Sequence, residues 1–380
     1  MRKMLALLAL LLGAAFAGCL DSSDPVDGTD SIVDPTAYVV PAVPAIDAVQ
    51  LLADHAAFVT QHNERAANLP THESAREAML AAFESYGLEA YRQNFTAGDL
   101  PQANIMGIKW GVVRDQWVVV GGHYDTITDD CLVSAVPVLN IENPCIGRTL
   151  SQGAYDDGSG TMMTLHLAEA FSNITPYYTM AFVAYDGEER GTQGAAAFVN
   201  GFVTGGEDQN FTQYGPIKVV GAVDLDMVGI NWPGTMAPMN ILTNSEKAYS
   251  VADEFRSGLA WPDEQWIRKE GLRLGSSDYA RFWEVTAEDG GPIPTIFFIS
   301  DFEEVGITNL QGGVPPAAHS PEGVGAYPFW HLEDTVETMT AMAGGQDALV
   351  AGFQSATELA ATVLHAMACQ PSLEFDAVAK

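Results

Sequence analysis

The chain has 380 residues, of which 47% are hydrophobic and 17% are charged, so it can form a folded core and is not a wholly disordered protein. Its 49 Asp and Glu against 17 Lys and Arg give a formal net charge of -32 at pH 7. Such an acidic surface repels phosphate backbones and anionic lipid headgroups, which argues against nucleic acid as a direct partner. At 1 M salt the Debye length falls to about 3 Å, so this surface also suits a salty exterior.

Residues 1–18 have the pattern of a secretory signal peptide, with basic residues before an apolar run over residues 4–17. The run is shorter than the roughly 20 apolar residues that span a membrane. Residues 16–19 read FAGC and resemble a lipobox in which Cys19 is lipidated, although Phe16 stands where leucine is usual. The alternative is an ordinary cleavage site with an incidental cysteine. Both interpretations predict an exported protein, and lipidation would anchor it on the outer face of the cell membrane.

Residues 19–45 are rich in Asp, Ser, Pro and Val and show no helical or strand period. They are predicted to form an acidic, flexible tether, whose roughly 25 residues would have an r.m.s. reach of about 25 to 30 Å. Residues 46–380 contain no internal repeat and no strong boundary, so we expect one folded domain there.

Hydrophobic periodicity predicts an α/β domain. Apolar residues recur at helical spacing in the stretches 46–60, 73–86, 161–171 and 349–367. Short apolar runs typical of buried strands cover 117–120, 180–185, 219–225 and 295–299. Continuous apolar strands that alternate with helices favour a mostly parallel sheet with helices on both faces.

The cysteines are interpreted for an oxidising compartment, where disulfides persist. Cys131 and Cys145 lie close in sequence inside the stretch 129–149, and a bridge between them would close a loop with a stabilisation of about 3 kcal/mol. We therefore predict a Cys131–Cys145 disulfide, with two free thiols as the alternative. Cys369 has no obvious partner, and none of the cysteines has zinc-site spacing.

Five short polar motifs stand where an open α/β sheet presents ligands, beyond the carboxyl ends of its strands. In chain order they are GGHYD (121–125), GAYDDGSG (153–160), DGEE (186–189), DM (226–227) and WHLEDT (330–335). Each alone is a weak signal, because a GEE is usually a solvated turn and a DDGSG is often a plain helix cap. Together they supply two histidines, several carboxylates and a spare glutamate. This is a ligand set that suits Zn²⁺ in a catalytic site.

The order of HYD, DDGSG, GEE, LDM and WHxxDT resembles the two-zinc exopeptidases of clan MH, which include leucyl aminopeptidases, glutamate carboxypeptidases and glutaminyl cyclases. The similarity covers about residues 46–368 and is greatest to the zinc aminopeptidases. It implies a mixed, mostly parallel central sheet in the three-layer sandwich of the zinc aminopeptidases and the phosphorylase/hydrolase-like folds.

The resemblance also implies two zinc ions. One would be held by His123, Asp156 and Asp226. The other would be held by Asp156, Glu189 and His331. Asp156 would therefore bridge the two ions.

Catalytic roles follow from the same resemblance. Glu188 would be the general acid/base, Asp125 would orient His123, and the bond between Asp156 and Asp157 is expected to be cis. Adjacent glutamates after a strand can point differently, so that one binds metal while the other reaches the attacking water. Two cations would acidify that water, polarise the scissile carbonyl and balance the carboxylates.

The sequence departs from the family pattern without losing a ligand. Asp224 stands where asparagine is common, Trp330 where tyrosine is usual, and Tyr279 where histidine is common. These departures concern the groups around the ligands and the fit of the substrate. His319 is the rival of His331 as a ligand, and His331 is favoured because LEDT follows it.

The remaining histidines have ordinary interpretations. His166 is expected to be packed or satisfied by a partner. His55, His62, His72 and His365 are expected on helix surfaces or in loops.

The leading hypothesis is an exported, monomeric zinc aminopeptidase that removes N-terminal residues of peptides by metal-activated water and reaches the membrane only through its lipid. A carboxypeptidase of the same superfamily would need a cation for the substrate's carboxylate, and the candidates are Arg268, Lys269, Arg273 and Arg281. Glutaminyl cyclase is less favoured, because that branch uses one zinc and this chain keeps all five ligands. A non-catalytic binding lipoprotein is disfavoured because neither a ligand nor the general base is missing.

Overall fold

An eight-stranded sheet organises the residues that the computed structural model describes. These residues are 35–67, 69–97, 100–127, 151–205, 217–231, 239–258, 266–268, 277–286, 290–300, 327, 329, 331 and 333–377. The strands are β1 (Glu89–Ala97), β2 (Leu100–Lys109), β3 (Val113–His123), β4 (Tyr178–Tyr185), β5 (Lys218–Leu225), β6 (Met239–Thr243), β7 (Trp266–Arg268) and β8 (Thr295–Ile299). They lie side by side in the order β1-β2-β4-β3-β5-β8-β6-β7.

The predicted fold class is confirmed. The central strands β4, β3, β5 and β8 are parallel to one another. The hairpin β1–β2 joins β4 in antiparallel direction, and β6 runs antiparallel to β8 and parallel to β7. The strand runs predicted from sequence lie in the parallel centre. The outer strands were not predicted. Strand β1 has only one buried position, and the buried run of β2 contains the polar residues Gln102 and Asn104, so neither has a continuous apolar run.

The helices pack on both faces of the sheet. They are α1 (Ala48–Gln61), α2 (Pro70–Ser85), α3 (Gly158–Ser172), α4 (Gln193–Phe198), α5 (Glu246–Gly258), α6 (Tyr279–Trp283), α7 (Val336–Ala343) and α8 (Gln346–Cys369). The Asp47 carboxylate caps α1 by accepting from the amides of Val49 and Gln50 at 3.0 and 3.1 Å. Among the described residues, no helix combines the length and the apolar character needed to cross a membrane.

Two apolar clusters flank the sheet and make the arrangement three-layered. The larger cluster joins α1, α2, α3 and α8 to one face, through residues such as Val118, Val120 and Phe182. The smaller joins α4 and α6 to the other face, through Val119 and Val183. Because alternate residues of each strand enter opposite clusters, both faces of the central strands are buried.

The N-terminal boundary of the folded part differs from the prediction. From Pro35 onward the described chain belongs to one compact unit. The His365 Nε2 donates to the carbonyl of Pro41 at 2.8 Å, and the ring of Tyr38 packs edge-on against Tyr177 with centroids 5.2 Å apart. The tether predicted through residue 45 is therefore wrong in its last part, because these groups find partners on the folded body.

Several predictions lie outside the described residues. They concern the signal peptide over residues 1–18, the lipidated Cys19 and the disulfide between Cys131 and Cys145. Of the cysteines, Cys369 is described, as a buried free thiol.

Candidate active site

The predicted site residues meet at the carboxyl ends of the central strands. His123 ends β3, Asp226 directly follows β5, and a turn over Glu188–Arg190 follows β4. Parallel strands present their carboxyl ends at the same edge of the sheet, so the segments that follow them converge. We call this edge, with the segments 123–127, 151–157, 186–189 and 226–227, the carboxyl edge.

His123 lies at the centre of one group of acids. Its Nε2 is 3.0 Å from Asp156 Oδ1, 3.7 Å from Asp226 Oδ1 and 3.9 Å from Glu188 Oε2. The His123 side chain is 1% exposed, and the three acids are 6% to 11% exposed. These acids therefore face a histidine inside a largely dry pocket.

His331 lies on the other side of Asp156. Its Nε2 is 3.3 Å from Asp156 Oδ2 and 3.0 Å from Glu189 Oε2. The two oxygens of Asp156 thus face two different histidines. His331 has a φ of +55°, a left-handed conformation that is uncommon outside glycine and that concentrates at functional sites. The adjacent acids Glu188 and Glu189 point to different histidines, as the sequence predicts.

The donor set fits divalent cations such as zinc. Glu189 Oε1, Asp226 Oδ1 and Asp157 Oδ2 are buried with no hydrogen-bond partner among the described residues. Buried acid oxygens of this kind are costly unless they are paired or coordinate a metal. Imidazole and carboxylate are the ligand types that zinc accepts.

Potential ligand atoms of two three-residue groups lie within 4.8 Å of one another. One group is His123, Asp156 and Glu189, and the other is His123, Asp157 and Asp226. The second group contains Asp157 in place of the predicted Asp156. Asp157 Oδ1 accepts from the amides of Gly160 and Met227 at 2.8 and 3.1 Å, which leaves only Oδ2 free of such bonds. Asp156, which contacts both histidines, remains the better candidate for a bridging ligand.

The pKa values of the site show how concentrated the negative charge is. Burial and the neighbouring carboxylate of Asp156 raise the pKa of Glu189 to about 7. Burial lowers the pKa of His331, but the carboxylates of Glu189 and Asp156 outweigh it and raise the pKa to about 10. Burial, together with Glu189 and Asp278, also raises the pKa of Glu188 well above its ordinary value. Positive charge between these carboxylates, from protons or from bound cations, is therefore favoured.

Asp125 contacts both the predicted ligand and the predicted base. Its Oδ1 accepts from the Glu188 amide at 3.0 Å and lies 3.5 Å from His123 Nδ1. The hydrogen bond of His123 Nδ1 goes to the backbone carbonyl of Asp125 at 3.1 Å. Asp125 thus faces His123 Nδ1 with both its backbone carbonyl and its carboxylate, and the carboxylate also binds the segment that carries Glu188.

The start of α3 packs tightly against β5. The peptide bond between Asp156 and Asp157 is cis, as the resemblance implies. A Cβ at Gly160 would lie 2.2 Å from the carbonyl oxygen of Leu225, so only glycine lets the first turn of α3 approach the end of β5 this closely. This approach brings Asp157 within hydrogen-bond distance of the segment that carries Asp226.

Asp334 was not assigned a role from the sequence. Its Oδ2 accepts from the amides of Tyr155 and Asp156 at 2.9 Å each, and Tyr327 donates its hydroxyl to Oδ1 at 2.8 Å. Burial raises the pKa of Asp334 to about 7. Asp334 therefore holds the backbone of Asp156, and its signal was its place three residues after His331 in the last motif.

Two of the three departures from the family pattern, Asp224 and Tyr279, contact each other near Asp226. Asp224 Oδ2 accepts from the Tyr279 amide at 2.8 Å and from the Ser277 hydroxyl at 3.2 Å. Asp278 is 1% exposed, and its two carboxyl oxygens have no hydrogen-bond partner among the described residues. Burial and the proximity of Asp226 raise the pKa of Asp224 to about 7. Trp330 and the rival ligand His319 lie outside the described residues.

Four histidines differ from the sequence prediction. His55, His62, His72 and His365 were expected on helix surfaces or in loops, and all four are buried. Each has a polar partner from another segment. His55 contacts Ala154 O at 2.6 Å, and His62 contacts Ser74 Oγ at 2.8 Å. His72 contacts Asp186 Oδ1 at 2.8 Å, and His365 contacts Pro41 O at 2.8 Å. The prediction was wrong because a helical period cannot show such partners. His166 is packed with its Nε2 3.2 Å from Asp54 Oδ2, as expected.

Comparison with known proteins agrees with this architecture. In sequence, the chain is 30% identical over 132 residues to a protein described as a probable zinc metalloprotease from Phaeosphaeria nodorum. That match covers 33% of this chain and 24% of the relative, so the matched part is about a quarter of the relative's length.

In structure, the chain is similar to a zinc aminopeptidase from Bacillus subtilis, with a TM-score of 0.59, 13% identity and coverage of 88% of this chain and 98% of the other. It is also similar to a glutaminyl cyclase from Porphyromonas gingivalis, with a TM-score of 0.55, 17% identity and coverage of 84% and 98%. At these identities the likeness shows the fold alone. The family model described as Peptidase family M28 matches residues 104–338, which include every predicted ligand, and the chain therefore belongs to peptidase family M28.

Proposed function

We propose that the protein is a two-metal aminopeptidase that hydrolyses the N-terminal residues of peptides. The observation that carries the proposal is the position of Asp156, whose two oxygens lie 3.0 and 3.3 Å from the Nε2 atoms of His123 and His331. One carboxylate between two histidines, each with a further acid, is the arrangement expected of a bridging ligand. His123, Asp156 and Asp226 would hold one zinc ion, and Asp156, Glu189 and His331 the other.

The residues around the site have distinct tasks in this proposal. Bound zinc would polarise the scissile carbonyl and make water more acidic near neutral pH. Glu188 accepts the proton of the attacking water on its carboxylate and passes it to the nitrogen of the departing amine. Asp125 keeps Glu188 in reach by binding its amide at 3.0 Å, and Asp334 keeps Asp156 in place.

Ionisable groups near the carboxyl edge favour an aminopeptidase over a carboxypeptidase. Asp278, whose carboxyl oxygens have no hydrogen-bond partner among the described residues, lies close enough to raise the pKa of Glu188. Burial and Asp224 raise the pKa of Asp278 itself well above its ordinary value, and a peptide's N-terminal ammonium group nearby would favour its ionised form. Arg281, a candidate cation for a carboxypeptidase, is already engaged. It donates to Thr192 Oγ1 at 2.6 Å, to Gly191 O at 2.9 Å and to Glu284 Oε2 at 3.0 Å.

The proposal is tested by metal analysis and a pair of substrates. Protein purified with zinc should contain about two zinc ions per chain, and chelation should abolish hydrolysis until zinc is added back. A free aminoacyl amide should be cleaved, and its N-acetylated form should not. Cleavage of peptides only from a free C-terminus would indicate a carboxypeptidase, and cyclisation of an N-terminal glutamine would indicate a glutaminyl cyclase. Full activity without a bound transition metal would refute the proposal.

We further propose that the mature protein is exported and anchored through a lipid on Cys19. The FAGC sequence at residues 16–19 supports this. Mass analysis of the mature N-terminus tests it, with an unmodified cleaved chain as the contradicting result.

Mass mapping of non-reduced peptides tests the proposed Cys131–Cys145 disulfide, which alkylation of both thiols in fresh protein would reject. A monomer is expected in solution, and light scattering measures this.

A further inference from the structure

Arg65 is a buried cation whose hydrogen bonds within the described part of the chain go to backbone oxygens, and its guanidinium lies over the Phe58 ring, 5.4 Å from the centroid. Its side chain is 0% exposed. Its Nε donates to Tyr124 O at 2.5 Å, Nη1 to Gln152 O at 2.7 Å and to His62 O at 3.3 Å, and Nη2 to Gly153 O at 2.9 Å. Every nitrogen of the guanidinium group is thus used on a carbonyl, and three of these carbonyls belong to the carboxyl edge.

Those three carbonyls belong to the two segments that carry His123 and Asp156. Tyr124 follows His123 directly, and Gln152 and Gly153 lead into Asp156. One planar group therefore ties the end of β3 to the loop before α3. The side chains of His123 and Asp156, which these segments carry, are 3.0 Å apart across the proposed metal centre.

The residue before Arg65 and one of the residues that accept its hydrogen bonds both have a positive φ. Glu64, directly before Arg65, has a φ of +52°, and its amide donates to Ser151 O at 3.1 Å. A non-glycine residue in this conformation costs about 1 to 3 kcal/mol and persists only where its surroundings impose it. Gly153 has a φ of +53°, and a Cβ there would lie 2.9 Å from Arg65 Nη2 and 2.2 Å from Thr126 Cγ2.

Arg65 interacts electrostatically with the acids of the site. Burial lowers its pKa to about 10, so it stays protonated at neutral pH. The acids that act on it electrostatically are Asp334, Asp157, Asp125 and Asp156, and all of them belong to the proposed metal centre or hold it. The arginine and the centre are therefore coupled by charge as well as by hydrogen bonds.

We infer that Arg65 is a positioning residue of the metal centre, which fixes the spacing between His123 and Asp156 through the carbonyls of Tyr124, Gln152 and Gly153. The inference rests on the proposed two-metal function. It assigns to Arg65 no contact with substrate. The competing explanation is that Arg65 only stabilises the fold.

Arg65→Lys separates geometry from charge. Lysine keeps the positive charge, but its single ammonium group lacks the planar fork that reaches carbonyls on both segments at once. A matched control is Arg256→Lys, because Arg256 is also buried, at 6% exposed, and pairs with Asp253 on its own helix α5. The control reports what the loss of a buried guanidinium does to stability alone.

The experiment measures metal binding, spectrum and kinetics in the full chain. Zinc dissociation constants are obtained from the apoprotein by competition with a chelator, and the visible spectrum of the cobalt-loaded protein reports the ligand geometry. Because changes to groups behind metal ligands cost about 10- to 100-fold in affinity or activity, we expect Arg65→Lys to bind zinc at least about 10-fold more weakly. We also expect a changed cobalt spectrum and a similar fall in kcat, with KM within about twofold. Arg256→Lys should match the wild type in all of these readouts.

The failures are distinguishable. Suppose that the wild type binds two zinc ions and hydrolyses peptides, and that Arg65→Lys equals it in zinc affinity, cobalt spectrum and kcat and has only a lower Tm. This result would overturn the inference and leave the proposed function intact. A wild type that binds no divalent metal would overturn both.

If Arg65→Lys does not fold, amide hydrogen exchange of the wild type decides instead. Zinc should slow exchange of the Glu64 amide, which bonds to Ser151. An unchanged rate there, with slowed exchange at the other segments of the carboxyl edge, would overturn the inference.

Discussion

The two ends of helix α3 lie in opposite environments. At its start, Asp157 caps the helix among buried carboxylates, and its Oδ2 has no hydrogen-bond partner among the described residues. At its other end, Phe171 is 0% exposed in an apolar cluster and packs against Phe182 with ring centroids 6.4 Å apart. The helix that joins these environments has 15 residues, most of them buried.

Burial has opposite effects on the free energy of folding at the two ends. Burying apolar surface stabilises the folded state by about 25 cal/mol per Å². Burying carboxylates costs free energy unless cations or donors compensate. Substitutions at the carboxyl edge should therefore act mainly on metal binding and turnover, and substitutions near Phe171 should act mainly on stability.

The largest effect is expected from Glu188→Gln at the carboxyl edge. The amide keeps the shape of the side chain but cannot carry the proton, so kcat should fall by about 10² to 10⁴ with zinc content and Tm unchanged. Steady-state kinetics on an unblocked aminoacyl amide, together with metal analysis, measure this. Glu169→Gln, on the exposed side of α3, is the control and should behave as wild type.

Glu189→Gln gives the contrast within the same turn. It removes one of the proposed ligands, and it should lower zinc occupancy together with kcat. For the first variant, near-full turnover of Glu188→Gln would contradict the assignment of Glu188 as the general base and the mechanism that depends on it.

The second-largest effect is expected at the apolar end of the helix. Phe171→Ala should lower the free energy of unfolding by about 3 to 5 kcal/mol, because it removes buried surface and leaves a cavity. Denaturant unfolding measures this, and kcat per folded molecule should stay at the wild-type value. Glu169→Ala on the same helix should change stability by less than about 0.5 kcal/mol. A fall in kcat of the folded Phe171→Ala protein would break the separation between the two ends.

The sequence predicts which residues lie at the two ends of α3, but not the groups that hold the ligand candidates. The apolar end follows from periodicity, as do the central strands, because continuous apolar runs are typical of strands covered on both faces. The motifs that contain the ligand candidates also stand beyond predicted strands, and the resemblance to the two-zinc exopeptidases then assigns the individual ligands.

The groups that hold those candidates do not follow from local pattern. Arg65 and Gln152 are 87 positions apart in the chain, and Asp334 is 178 positions from Asp156. Neither pairing leaves a periodic signal, and His72 lies on an amphipathic helix whose stripe does not reveal its contact with Asp186. Such contacts depend on the tertiary fold, and they were found only in the structure.

A smaller effect is expected at His55, which lies between the two environments. Its Nε2 donates to Ala154 O at 2.6 Å near the carboxyl edge, and its ring packs against Phe353 with centroids 5.4 Å apart. Burial lowers the pKa of His55 to about 4, although the bond to Ala154 opposes this. A depressed pKa means that the neutral form is favoured in the folded state, so its stabilisation is complete above about pH 6.5 and is lost as the pH falls toward 4.

His55→Gln keeps a donor for Ala154 and removes the titration. Between pH 7 and pH 5, His55 should account for about 2 kcal/mol of the wild type's change in unfolding free energy. Over this pH range the unfolding free energy of the variant should therefore fall by about 2 kcal/mol less than that of the wild type. Denaturant unfolding at the two pH values measures it, and parallel pH dependences in the two proteins would contradict the assignment.

The smallest effect is expected from Asp157→Asn, and it tests which of two adjacent acids is the ligand. Burial, with the nearby charge of Asp226, raises the pKa of Asp157 well above its ordinary value and so favours the neutral carboxyl, which an amide imitates. The asparagine oxygen can still accept from the amides of Gly160 and Met227. The unfolding free energy should therefore change by about 1 kcal/mol or less.

If Asp156 bridges the ions and Asp157 only caps α3, Asp157→Asn should retain about two zinc ions, whereas Asp156→Asn should lose most of both. The alternative has a geometric basis, because potential ligand atoms of Asp157, His123 and Asp226 lie within 4.8 Å of one another. Were Asp157 a ligand of the first ion, Asp157→Asn would bind about one zinc ion and its turnover would fall with the occupancy. Zinc content at equal protein concentration thus decides whether the metal centre ends at Asp156 or extends into the first residue of the helix cap.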